Sequence, residues 1–258
     1  MREAPTELRN GIFADAIPAA LASARRSDVS RRLARAQWLL RRKSDGRYVA
    51  TADRHRTLQP LLPMSPAQRQ SLARLLAAPH AGAPTLPLDA LWRTLAALGI
   101  DPDYAQRHDL APIAEPRRLA FAGRDRYRRP LWLLPAVARA WLAMQAAARA
   151  QGVPLEAISG FRSHAYQLGI FRRKQARGLS VAQILAVNAA PGFSEHHGGF
   201  ALDIGTTGEP PAETTFEHTP AFAWLCANAE RFGFSLSYPR DNPHGIVYEP
   251  WHWAYRAS

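Results

Sequence analysis

The sequence predicts an α+β fold, in which a small antiparallel sheet packs against helices behind a mainly helical N-terminal region. Three observations predict it. The first half carries helical apolar spacings joined by proline-rich loops. The second half alternates helices with short strand-like runs. The composition, 47% hydrophobic and 21% charged, is that of a chain able to bury a core. A length of 258 residues fits one large domain or two small ones. The change of pattern near Arg124 places the boundary between residues 1–123 and 124–258.

In the first half, Asp28–Arg42 sets Val29, Leu33, Ala36, Leu39 and Leu40 on a helical repeat, with arginines between. Ser65-Pro66-Ala67-Gln68 reads as a helix start, with Ser65 as cap, Pro66 in the first turn and Gln68 closing a capping box. That helix runs to about Ala77. Ala78–Leu88 holds three prolines and a glycine and reads as a loop. Leu88–Leu98 is amphipathic and closed by Gly99. His55, His80 and His108 stand apart from any motif.

In the second half, Leu134–Gln151 is a helix with Val137, Trp141, Met144 and Ala148 on one face and Gly152 at its end. Val153–Ser159 reads as a buried strand, and Ser163–Arg177 and Ser180–Asn188 as helices. Phe200–Ile204 alternates like a strand. Pro220–Phe232 is helical, with Cys226 as a small buried hydrophobe, and Gly233 stops it. Phe234–Tyr238 and Gly245–Tyr255 read as strands.

Several function classes lose support at once. The single cysteine excludes an intramolecular disulfide and a multi-cysteine zinc site, so a metal would rely on His, Asp or Glu. No apolar run reaches the roughly 20 residues of a membrane span. The start, Met-Arg-Glu-Ala-Pro-Thr-Glu, lacks the basic region of a signal peptide, and Ala16–Ala24 is short and interrupted. The chain as written is therefore expected to stay in the cytoplasm, or to reach the periplasm or cell wall by a route that it does not encode. The net charge of +12 is uneven: residues 1–130 hold 23 Lys and Arg against 12 Asp and Glu, residues 131–258 hold 10 against 9. One reading is attraction to an anionic polymer. The preferred reading is a solvated arginine-rich surface, because no nucleic-acid motif accompanies the charge.

Chemistry concentrates in three places. Ser194-Glu195-His196-His197-Gly198-Gly199-Phe200-Ala201-Leu202-Asp203 crowds polar and metal-binding side chains around two glycines, which let the backbone turn sharply. Such a turn can bring His196 and Asp203 to one point, although a hydrogen-bonded core pair has the same spacing. Tyr248-Glu249-Pro250-Trp251-His252-Trp253 sets a carboxylate and an imidazole among aromatics. Pro250 interrupts strand pairing, so the two need not face opposite ways. Burial there would raise Glu249 towards the pKa of a general base. Ser159-Gly160-Phe161-Arg162-Ser163 puts Arg162 at a helix N-terminus, a place suited to anions. Together these supply three ligands with room for a water, a base and a fixed cation.

These three motifs resemble the VanY-type D-alanyl-D-alanine carboxypeptidases, part of a zinc-peptidase group with the pattern S-x-H-x-x-G-x-A-x-D followed by E-x-x-H. Ser194, His196, Gly199, Ala201 and Asp203 fill the first pattern, and Glu249 and His252 the second. The S-G-[FY]-R-S turn stands at Ser159–Ser163, and the resemblance covers about residues 124–258. It implies a DD-peptidase/hedgehog-like fold and one zinc ion per chain held by His196, Asp203 and His252. Glu249 is implied as base and then proton donor, and Arg162 as oxyanion stabiliser or substrate clamp. Ser194, Gln167 and Ser159 are implied in substrate binding. His197, lacking the spacing to Asp203, is expected beside the site. The implied activity is removal of a terminal D-alanine from peptidoglycan stem peptides or muropeptides. Alternatives are a cell-wall endopeptidase or D-Ala-D-Ala dipeptidase of the same group, or a non-catalytic zinc-containing wall-binding module.

Overall fold

The computed structural model describes residues 6–22, 35–77 and 84–256. The chain forms two compact units, residues 1–86 with 116–121, and residues 87–115 with 122–258. The basic excess follows this division. The first unit holds 17 Lys and Arg against 6 Asp and Glu, the second 16 against 15.

The first unit is a strand meander, not the helical region that the periodicity suggests. Strands β1 (Glu7–Asn10), β2 (Ala14–Pro18), β3 (Trp38–Arg42), β4 (Tyr48–Ala52) and β5 (Leu58–Pro60), with β6 (Arg118–Arg124), stand in the order β5-β4-β3-β2-β1-β6. The end of the expected Asp28–Arg42 helix is β3, and residues 28–34 lie outside the described residues. The physical reason is that β3 pairs on both sides, with β2 and β4. Its Trp38-Leu39-Leu40 run is buried throughout, and a continuous apolar run reads equally as helix or central strand. Helix α1 (Pro66–Ala77) does follow its capping box, with Gln68 N–H donating to Ser65 Oγ at 3.2 Å and Ser65 N–H to Gln68 Oε1 at 2.9 Å. Its Leu72 and Leu76 pack on Ala14, Ala16, Trp38, Leu40, Val49, Ala50 and Ala52.

The second unit begins earlier than residue 124. Helices α2 (Asp89–Ala97) and α3 (Tyr104–Arg107) belong to it, because Leu91, Leu95, Ile100 and Tyr104 share a core with Phe171, Ile184 and Phe193. His80 and most of the expected Ala78–Leu88 loop lie outside the described residues. After strand β7 (Pro130–Leu133), helix α4 (Pro135–Ala150) buries Val137, Trp141, Met144 and Ala148 on its expected face.

The remaining elements build the α+β core. They are β8 (Glu156–Ser159), α5 (His164–Gln175), α6 (Val181–Leu185), β9 (Ala201–Gly205), α7 (Pro220–Asn228), β10 (Phe234–Leu236) and β11 (His252–Tyr255). The four strands form an antiparallel sheet, β10-β11-β9-β8. Gly245–Trp251, expected as strand, is a loop. Pro250 cannot donate to a ladder, and Glu249 N–H bonds instead to the Tyr238 carbonyl at 3.1 Å. Cys226, expected buried, is exposed. Half-buried His244 exchanges bonds with His108 at 2.8 and 3.0 Å. No helix among the described residues is long and apolar enough to cross a membrane.

Candidate metal centre

The sheet register assembles the centre. Asp203 on β9 lies directly across from His252 on β11 and from Ser159 on β8, and cross-strand partners share a face. The third member comes from the turn before β9. Glu195–Gly198 coils into a 3₁₀ turn after Ser194, and Gly199 ends it with φ 69°, a left-handed conformation that glycine adopts without strain. The chain then reverses into β9. Close packing demands the other glycine: a Cβ on Gly198 would lie 2.1 Å from the Phe200 ring.

Within this turn three consecutive side chains go to three places. His196 reaches Asp203, His197 turns to the Arg162 carbonyl at 2.6 Å, and Glu195 turns to His252 and Arg256. All three are buried. One tight turn thus sends the adjacent His196 and His197 to different partners.

His196 Nε2 and His252 Nδ1 each lie 3.2 Å from Asp203 Oδ1. One donor atom from each of the three residues falls within 4.8 Å of the others. The opposite ring nitrogens set the tautomers. His196 Nδ1 lies 2.8 Å from the Gly160 carbonyl, and His252 Nε2 lies 2.9 Å from Glu195 Oε2. Both partners are acceptors only, so these nitrogens carry the protons. In the neutral rings, two bare nitrogens and a carboxylate oxygen then face one another inside the protein. Three converging lone pairs repel unless a cation sits among them, and two imidazoles with one carboxylate suit a divalent transition ion.

The same neighbours set the charges of these groups. Burial lowers His196 to about 4, helped by the Arg162 guanidinium. Burial opposes charge on His252 as well, yet the hydrogen bonds it donates to Asp203 and Glu195 carry it up to about 9. Asp203 is held well below the usual carboxylate range: burial raises it, and the two histidines and Arg162 overcome that. Glu195, also raised by burial, is brought down to about 2 by His252 and Arg256.

Glu249 stands at the edge of this group. Its Oε2 lies 3.7 Å from His252 Nδ1, and the side chain is 17% exposed. Burial and the neighbouring Asp203 charge push it up to about 7, against the pull of His252 and Arg162. A carboxylate there takes and returns a proton near neutral pH. Arg162 follows Gly160, which is tightly packed: a Cβ there would meet Leu131 at 2.7 Å. Its Nη2 lies 4.0 Å from Asp203 Oδ2, and its buried Nε has no partner.

The three residues expected at the substrate are placed unequally. Ser159 adjoins Asp203 through the register. Ser194 is buried and begins the metal-site turn. Gln167 is buried on α5 and donates to the Ala189 carbonyl at 3.1 Å, leaving Oε1 without a partner. Two participants escape the sequence reading. Glu195 occupies an unassigned position of the pattern, and the only sequence signal was an acid directly beside His196. Tyr238 packs against His252 with its ring tilted by 41° and 4.7 Å between ring centroids, and only the tertiary fold brings it there.

Residues 131–258 match the family model VanY: D-alanyl-D-alanine carboxypeptidase. A D-alanyl-D-alanine carboxypeptidase of Enterococcus faecium is 35% identical over 103 residues, spanning 39% of this chain and 32% of its own length. One of Enterococcus faecalis is 38% identical over 119 residues, 42% of each chain. The solved structure of VanYB in complex with D-alanine-D-alanine aligns at 32% identity with a TM-score of 0.41, over 49% of this chain and 73% of that one. This chain thus spans well under half of the two curated relatives.

Proposed function

Over residues 131–258 the chain belongs to the VanY-type family, and we propose that it is a zinc-dependent carboxypeptidase that removes a terminal D-alanine from peptidoglycan stem peptides or their precursors. The observation that carries this reading is the convergence of His196 Nε2, Asp203 Oδ1 and His252 Nδ1 beside a carboxylate raised to about 7. His196, Asp203 and His252 would hold one zinc ion. Bound there, zinc would supply Lewis-acid polarisation of the scissile carbonyl and acidify a water.

The protein's own groups do the rest. Glu249 accepts the proton of the attacking water, since at about 7 it is substantially ionised at neutral pH. The same carboxyl returns that proton to the leaving amine. Arg162 directs fixed positive charge at the oxygen that becomes negative. Ser194, Gln167 and Ser159 would line the pocket for the terminal residue.

The test is incubation of the purified chain with defined muropeptides, with and without chelator, read by mass. Loss of a single alanine that stops on chelation is the expected result. Release of alanyl-alanine or of larger fragments would instead assign a dipeptidase or an endopeptidase. No cleavage of any wall peptide by zinc-loaded protein would leave a binding module.

A further inference from the structure

Arg162 sits in a loop, the turn between β8 and α5. Its main chain is pinned from both sides. Arg162 N–H donates to the His196 carbonyl at 3.2 Å, and the Arg162 carbonyl accepts from His197 Nδ1 at 2.6 Å. His197 is in turn packed edge-on against His164, with 4.5 Å between ring centroids. His164 is the first residue of α5, and it is held by residues far up the chain. Its backbone N–H donates to Glu115 Oε1 at 2.8 Å, and its Nε2 donates to the Ile113 carbonyl at 2.8 Å. Glu115 Oε1 also lies 3.7 Å from His164 Nδ1.

Glu115 is 4% exposed. It lies in the 87–115 segment, which precedes the family-matched stretch yet belongs to the same compact unit. That segment touches the other half of the site too. Ile113 N–H donates to the Gly192 carbonyl at 2.7 Å, and Tyr104 Oη accepts from Ala190 N–H at 3.1 Å. A Cβ on Gly192 would lie 2.2 Å from Leu91. The segment therefore contacts the chain on both flanks of the centre, before Ser194 and after Arg162.

We propose that Glu115 is a positioning residue for Arg162. A carboxylate at a helix N-terminus is favoured by the orphan N–H groups and the dipole. Here it fixes where α5 begins, and His164 and His197 pass that position to the Arg162 carbonyl. The consequence is that residues 87–115 are part of the catalytic unit and not a leader to it. This inference rests on the role given to Arg162 above.

The test uses the full chain with Glu115→Ala, Glu115→Gln and Glu115→Asp, each assayed on a D-alanine-terminated muropeptide and normalised to bound zinc. Glu115→Ala is expected to lower kcat per zinc-loaded site by about 100-fold, the scale of a 1 Å misplacement, with zinc affinity unchanged. Glu115→Gln keeps an acceptor oxygen and is expected to recover most of that loss. If Glu115→Ala does not fold, the one-methylene retreat in Glu115→Asp supplies the same comparison. In an Arg162→Ala background, Glu115→Ala is expected to add no further loss, because the two act as one unit. A crystal structure of the zinc-loaded Glu115→Ala variant reads the geometry without turnover. Displacement of Arg162 from Asp203 supports the proposal even if the unmodified chain cleaves nothing. Unchanged kcat per zinc with Arg162 in place overturns it and leaves Glu115 a plain helix cap.

Discussion

The two imidazoles of the centre are held by opposite strategies. His196, in the turn before β9, offers Nε2 inward and fixes its ring through Nδ1 on a backbone carbonyl, that of Gly160. His252, on β11, offers Nδ1 inward and fixes its ring through Nε2 on the Glu195 carboxylate, which Arg256 holds at 2.6 Å. The first anchor is main chain and cannot be deleted by substitution. The second is a side chain, charged and replaceable. A carboxylate partner also makes an imidazole a stronger donor than a carbonyl does. In the proposed zinc site His252 is therefore the tuned ligand and His196 the rigid one.

The largest effect tests whether both anchors serve one metal centre. Chelation, or Asp203→Ala, is expected to abolish turnover and bound zinc together, and added zinc should restore only the chelated protein. Metal analysis alongside the muropeptide assay reads this. Next comes the base. Glu249→Ala is expected to leave zinc content intact while kcat falls by about 10²–10⁴-fold. Loss of zinc in that variant would place Glu249 among the ligands and undo the distinction between holding and reacting.

The third substitution separates the two anchors. Glu195→Gln keeps the size of the side chain and removes its charge, so zinc affinity should weaken by about 10–100-fold. A competition titration against a chromophoric chelator measures this. An unchanged affinity would mean that His252 is oriented by its strand alone. The smallest change addresses the backbone anchor. Gly160→Ala must displace Leu131 and the Trp132 carbonyl, 2.7 and 3.1 Å from the added methyl. We expect about 1–3 kcal/mol of lost stability from overpacking, measured by urea unfolding, and a weaker fall in zinc affinity than Glu195→Gln gives.

The site was more legible than the fold around it. His196, Asp203, Glu249 and His252 stand in short motifs whose residue types are unusual together, and the structure brings them to one place. Glu195 was hidden because its partner His252 lies 57 residues away, and β9–β11 pairing alone makes them neighbours. The helices with a capping box or a terminal glycine were readable because their signals are local: Ser65 with Gln68, and Gly152 after α4. The strands of the first unit were not. Ala14-Asp15-Ala16 is built from alanine and aspartate, both depleted in strands.

By itself, the sequence determined which groups can do chemistry: two histidines and an aspartate that accept a metal, an acidic residue beside them, and an arginine at a helix start. Those are properties of side chains and short spacings. Tertiary structure alone decided which nitrogen of each histidine faces inward, that Glu195 meets His252 and Glu115 the start of α5, and that residues 87–115 fold into the same compact unit as the site. Each of these depends on strand register and packing between segments tens of residues apart. No local pattern encodes such a relation, because its energy arises only when the whole unit is folded.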